Sequence, residues 1–236
     1  MITGFEKAEI TVLVDDLPHP DLESLYPAHG LSILVSLYRE NKKYNVLFDT
    51  GPSLDLLLHN AEQLGKAPLL PSTIFISVWI DHHVGGLVDS IRRGEKPWSY
   101  VVAPEYPGKR RRPPAKGTLP PGVTTIGPWG RWFREQALAF HIKGEGWVVL
   151  VGCAVYGVRN LVKMLNKVER LYAIIGGLNL SALDVLDGPL FLKWAKKRGV
   201  ELIIPLHSVT VRARRIILKR YGGGLSWSGV GLNVEL

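Results

Sequence analysis

Sulfur and side-chain amides are scarce in this chain: it has one cysteine, Cys153, with two methionines and two glutamines. A single cysteine excludes an intramolecular disulfide and any zinc site built from several thiolates, and it fits a reducing compartment. Long apolar runs are also missing. The longest uncharged apolar windows, 68–80 and 171–183, are about a dozen residues each, against the roughly 20 that a membrane-spanning helix needs, so no membrane association is expected. The first residues include Glu6 and Glu9, where a secretory signal would carry a basic start and an apolar run, so a cytoplasmic location is expected.

Acids are the minority charge. Twenty-one Asp and Glu stand against 29 Lys and Arg, a formal net charge of +8, which attracts phosphorylated ligands, nucleic acid or anionic surfaces without choosing among them. Few Met, Gln and Cys beside 16 prolines give a thermophile-like composition. What remains is ordinary globular usage, 46% hydrophobic and 21% charged, able to form a core without staples. With no dividing linker, residues 1–236 are expected to form a single α/β domain.

Hydrophobic periodicity predicts early strands at 8–14, 31–37 and 44–48, then an amphipathic helix over 53–64 with Ser53 as N-cap and Gly65 closing it. A buried strand at 73–79 leads to a polar turn, Asp81-His82-His83, and the pair Gly85-Gly86 opens a helix at 87–92. Further strands are expected at 99–103, 138–142, 147–151, 171–175 and 201–205, with helices at 158–168, 189–198 and 211–221. Residues 104–129 are dense in Pro and Gly and contain Lys109-Arg110-Arg111-Arg112. They read as a long basic loop, a type that is often functional in a compact domain.

Three phrases, Leu47-Phe48-Asp49-Thr50-Gly51, the run 77–87 and Pro205-Leu206-His207, make the chain resemble the metallo-β-lactamase superfamily over nearly its whole length. Ala28-His29-Gly30-Leu31-Ser32 and Gly152-Cys153 resemble signatures of the ribofuranosylaminobenzene-phosphate synthase-like branch of methanopterin biosynthesis. The resemblance implies a four-layer αββα sandwich and a two-metal hydrolytic centre, whose first ligands come from an HxHxDH loop followed by one residue and Gly-Gly. Here that loop reads Val78-Trp79-Ile80-Asp81-His82-His83-Val84-Gly85-Gly86. Val78 and Ile80 stand where the first two histidines belong, His82 where the aspartate belongs, and His83 where the third histidine belongs. Val155 replaces the histidine expected after Gly152-Cys153, and Asn179, after Gly176-Gly177, offers an amide, a poor zinc ligand. Only His207 matches at the last ligand position.

The resemblance therefore implies a degenerate centre. Its remnant, His82, His83 and His207, is the candidate for a mononuclear zinc-type site with an open coordination place, with Asp81 beside it as the candidate proton shuttle. Asp49, His29 and Asn179 are candidates for supporting positions around it. Cys153 lies between a strand and a helix start, a place that can depress a thiol pKa, yet a lone buried cysteine is usually inert. Three readings follow. The protein has lost hydrolysis, binds either no metal or one divalent ion, and holds an anionic or phosphorylated small molecule in the old cleft; or it is a mononuclear metal-dependent hydrolase or transferase; or Lys109, Arg110, Arg111 and Arg112, with nearby aromatic residues, bind nucleic acid or an acidic partner.

Overall fold

The chain runs β1 (Lys7–Val14), β2 (Ser32–Arg39), β3 (Lys42–Phe48), α1 (Leu54–Gln63), β4 (Thr73–Phe75), α2 (Asp81–Arg92), β5 (Val101–Val102) and β6 (Val123–Trp129). It continues with β7 (Glu135–Ile142), β8 (Gly146–Val151), α3 (Val158–Leu165), β9 (Leu171–Gly176), α4 (Asp187–Lys197), β10 (Leu202–Pro205), α5 (Val211–Tyr221) and β11 (Asn233–Glu235). This is a computed structural model describing residues 4–69, 71–94, 100–105, 117–180 and 187–236. Lys109 to Arg112 lie outside the described residues.

Two sheets form, one of order β11-β1-β2-β3-β4-β5 and one of order β10-β9-β8-β7-β6. Alternation along the strands decides what each face meets. On β2, Ile33, Val35 and Leu37 enter the core between the sheets, whereas Leu34 points outward to α1 and α2. On β8, Val148 and Leu150 face inward, while Val149 and Val151 pack with α3, α4 and α5 residues such as Leu161, Phe191 and Ile217. The order is thus helix, sheet, sheet, helix, as the resemblance implied, and strands buried on both faces account for the near-continuous apolar runs in the sequence.

The parallel pairs are β3–β4, β4–β5, β8–β9 and β9–β10. Each of α1, α2, α3 and α4 makes one of these crossovers, because parallel neighbours cannot be joined by a tight turn. In such an arrangement the carboxyl ends of the strands gather at one edge, where α/β sheets place their ligands.

Several boundaries differ from the expectation. The stretch 104–129 is not loop to its end: Val123–Trp129 pairs antiparallel with β7, with a register shift between Ile126 and Trp129. An edge strand accepts Gly127-Pro128 because its outer N–H groups need no ladder partner. Helix α2 opens at Asp81 rather than after Gly85-Gly86, so His82 and His83 sit in its first turn and not in a turn before it. Strand β4 stops at Phe75, and the short β11 escaped sequence reasoning because three residues carry no readable period.

The glycine pair serves close packing. A Cβ at Gly85 would lie 2.0 Å from the Pro52 carbonyl oxygen, and one at Gly86 would lie 2.6 Å from that of Thr50. Only glycine lets the first turns of α2 rest on the Asp49-Thr50-Gly51-Pro52 loop, and that contact fixes where His82 and His83 point.

Candidate metal centre

The loops at the strand ends bring together residues from five parts of the chain. Asp16 follows β1, Asp49 follows β3, His82 and His83 open α2, Cys153 follows β8 and His207 follows β10. His83 is fully buried, and its Nδ1 lies 2.7 Å from Asp49 Oδ2. Asp49 is itself held: its Oδ1 accepts the Ser77 N–H at 2.7 Å and its Oδ2 the Ser77 hydroxyl at 2.6 Å. His207 is oriented in the same way, with Nδ1 2.8 Å from Asp16 Oδ1. Asp16 also accepts N–H groups from Gly30 at 3.2 Å and Ser208 at 3.0 Å.

Two imidazoles therefore have Nδ1 fixed by a carboxylate. Their other nitrogens, His83 Nε2 and His207 Nε2, are buried without a hydrogen-bond partner, as is His82 Nε2. Ring nitrogens of His82, His83 and His207 and the Cys153 sulfur all lie within 4.8 Å of one another. The ring centroids of His82 are 4.6 Å from His83 and 4.9 Å from His207. His29, with its side chain 70% exposed, stands at the mouth, its ring 4.5 Å from His82 and 4.7 Å from His207.

Electrostatics suit a neutral imidazole at His82. Burial, followed by the neighbouring His83, His207 and His29, lowers the His82 pKa to about 3. Burial would raise the Asp16 carboxyl, but the hydrogen bond and charge of His207 and the Ser208 and Gly30 N–H groups outweigh it and hold the pKa well below the usual range. Burial, reinforced by Glu135, pushes the Cys153 thiol up to about 12, which argues against a free thiolate nucleophile.

Of the other candidates, Asp81 is exposed at the first position of α2, outside the group of converging donors. Asn179 is exposed and spent on its neighbours, its N–H donating to Ser208 Oγ at 3.1 Å and its Nδ2 to the Ala154 carbonyl at 3.3 Å. Sequence reasoning passed over Asp16 and Glu135. Asp16 was visible as an acid at a strand end; Glu135, buried at the start of β7, receives the N–H groups of Cys153, Ala154 and Val155 at 3.1, 2.7 and 2.9 Å. Burial raises the Glu135 pKa despite those three bonds. Four non-glycine residues here, Asp49, Ala154, Asn179 and Ser208, have φ of +55°, +53°, +47° and +59°. Such conformations cost free energy and cluster at functional sites.

No family model and no curated protein matches the chain. Among solved structures, it is similar to a metal-dependent hydrolase of the β-lactamase superfamily, with 26% identity and a TM-score of 0.70 over 97% of this chain and 99% of that one. A metallo-β-lactamase fold protein of Bacillus subtilis matches at 13% identity and TM-score 0.56 over 98% and 100% of the two chains. A diphosphatase of the PhnP family matches at 14% and 0.53 over 98% and 97%. These neighbours consistently represent the metallo-β-lactamase superfamily.

Proposed function

We propose, from the premise that the chain has a metallo-β-lactamase fold, that this protein binds one divalent metal ion, zinc or a close relative, and has lost the two-ion hydrolytic centre. The observation that carries the reading is the set of buried, unpartnered Nε2 atoms on His82, His83 and His207. A buried acceptor left without a partner costs about 1–3 kcal/mol, so three converging ones are a standing deficit that an ion removes. Asp49 and Asp16 fix the rings of His83 and His207 through Nδ1, the carboxylate–histidine arrangement that supports metal ligands. Val78, Ile80 and Val155 stand where the superfamily pattern has the other imidazoles, and aliphatic side chains cannot replace a cation's hydration shell.

The ligand of the cleft is an anionic or phosphorylated small molecule, a reading supported by the net charge of +8 and the exposed imidazole of His29. A second reading keeps catalysis, and the similarity to a metal-dependent hydrolase over 97% of the chain favours it. In it a bound ion would supply Lewis-acid polarisation, Asp81, exposed beside the histidines, would be the proton acceptor, and Asp49 and Asp16 would hold the rings of His83 and His207 in line through Nδ1. Binding of nucleic acid or an acidic partner through Lys109 to Arg112 rests on the basic sequence alone.

Elemental analysis after zinc loading and desalting is expected to find one ion per chain in the parent and none in a His82→Ala, His83→Ala, His207→Ala variant with an unchanged circular dichroism spectrum. Two ions per chain, or equal zinc in parent and variant, would overturn the one-ion reading.

A further inference from the structure

We propose that Cys153 is the fourth donor of this centre, making it a closed three-histidine, one-thiolate site rather than a three-histidine site with a place open to water. The inference rests on the one-ion reading and deepens it.

The Cys153 sulfur shares the 4.8 Å cluster with the three imidazoles, and His83 and His207 in that cluster are buried with free Nε2 atoms. Its backbone is held for that position. Glu135 takes the N–H groups of residues 153, 154 and 155 in one carboxylate. A Cβ at Gly152 would lie 2.0 Å from Ser77 Oγ, so the loop is pressed against the Asp49–Ser77 pair that also orients His83. The thiol's contact with Ser208 Oγ is long, at 3.9 Å, a weak hydrogen bond that coordination can displace.

Nitrogen from imidazole and sulfur from thiolate at about 2.0–2.3 Å form a usual donor set for zinc, and four protein ligands are the mark of closed sites. On binding, the metal–sulfur bond forms as the S–H bond breaks and the proton passes to solvent, so uptake releases a proton. A fourth protein ligand leaves no coordination place for water. The site then acts as a structural or metal-responsive centre, and hydrolysis would require the Cys153 sulfur to leave the ion.

The test is cobalt(II) loading. The parent is expected to bind one cobalt per chain with a thiolate-to-cobalt charge-transfer band in the near ultraviolet. Cys153→Ser is expected to keep one cobalt at saturation, lose that band, and bind zinc about 100-fold more weakly, the upper end of the losses seen when a metal site's support is altered. Zinc-edge X-ray absorption on the unsubstituted protein gives the same answer without a variant: one sulfur at about 2.3 Å is expected. One ion per chain with only nitrogen and oxygen scatterers and no charge-transfer band would overturn the role of Cys153 and leave the one-ion reading standing. No ion in the parent would overturn both.

Discussion

Asp49→Ala is expected to destabilise the metal-free protein by about 3–5 kcal/mol, at the high end of single-substitution losses, because it breaks a buried hydrogen-bond network. The Asp49 carboxylate is fully buried and holds three groups, the Ser77 N–H, the Ser77 hydroxyl and His83 Nδ1. Alanine leaves all three without that acceptor, and each orphaned buried group costs roughly 1–3 kcal/mol, not additively. The backbone adds to the effect, because φ is +55° at Asp49, a conformation that aspartate and asparagine tolerate better than alanine. Zinc affinity should also fall about 10- to 100-fold as His83 loses its orientation. Urea unfolding of the metal-free protein and zinc competition with a chelator measure the two effects separately. A stability change within about 0.5 kcal/mol, typical of an unremarkable surface position, would show that the Asp49–Ser77–His83 network is not formed in solution.

Arg214→Met is expected to cost a similar 3–5 kcal/mol through a buried ion pair next to the candidate centre. Arg214 is 2% exposed and its guanidinium binds both oxygens of the fully buried Asp15, at 2.6 and 3.2 Å. The same group donates to the carbonyls of Ser228 at 2.9 Å and Val209 at 3.0 Å. It thus ties the end of β1 to α5 and to the loop before β11. Methionine fills much of the volume but leaves Asp15 buried without its counter-charge. Adding Asp15→Asn removes that charge, so the double variant should be more stable than Arg214→Met alone. Additive losses in this double-mutant cycle would mean the two groups are not coupled.

Local signals located many elements. Helix α5 matches its expected bounds, Val211 to Tyr221, because Thr210 caps its start by accepting the Ala213 N–H and Gly222 follows its end. Helix α1 was marked by Ser53, which accepts the Leu56 N–H. The start of α2 was misread because Asp81-His82-His83 is polar and resembles a turn, although an acid in a first turn favours a helix. Strand β6 was missed because its identity comes from pairing with β7, and Gly127-Pro128 masks its alternation.

By itself the sequence determined the α/β class, through apolar runs long enough for strands buried on both faces, while the layering came from the family resemblance, which also named His82, His83 and His207 by their place in a motif. Tertiary structure decided what those histidines meet. Asp16 and His207 are 191 residues apart yet hydrogen-bonded, and Cys153 joins the cluster from the opposite sheet to Asp49. No local pattern encodes such a meeting, because it exists only when two separately built sheets pack face to face and bring their strand ends to one edge.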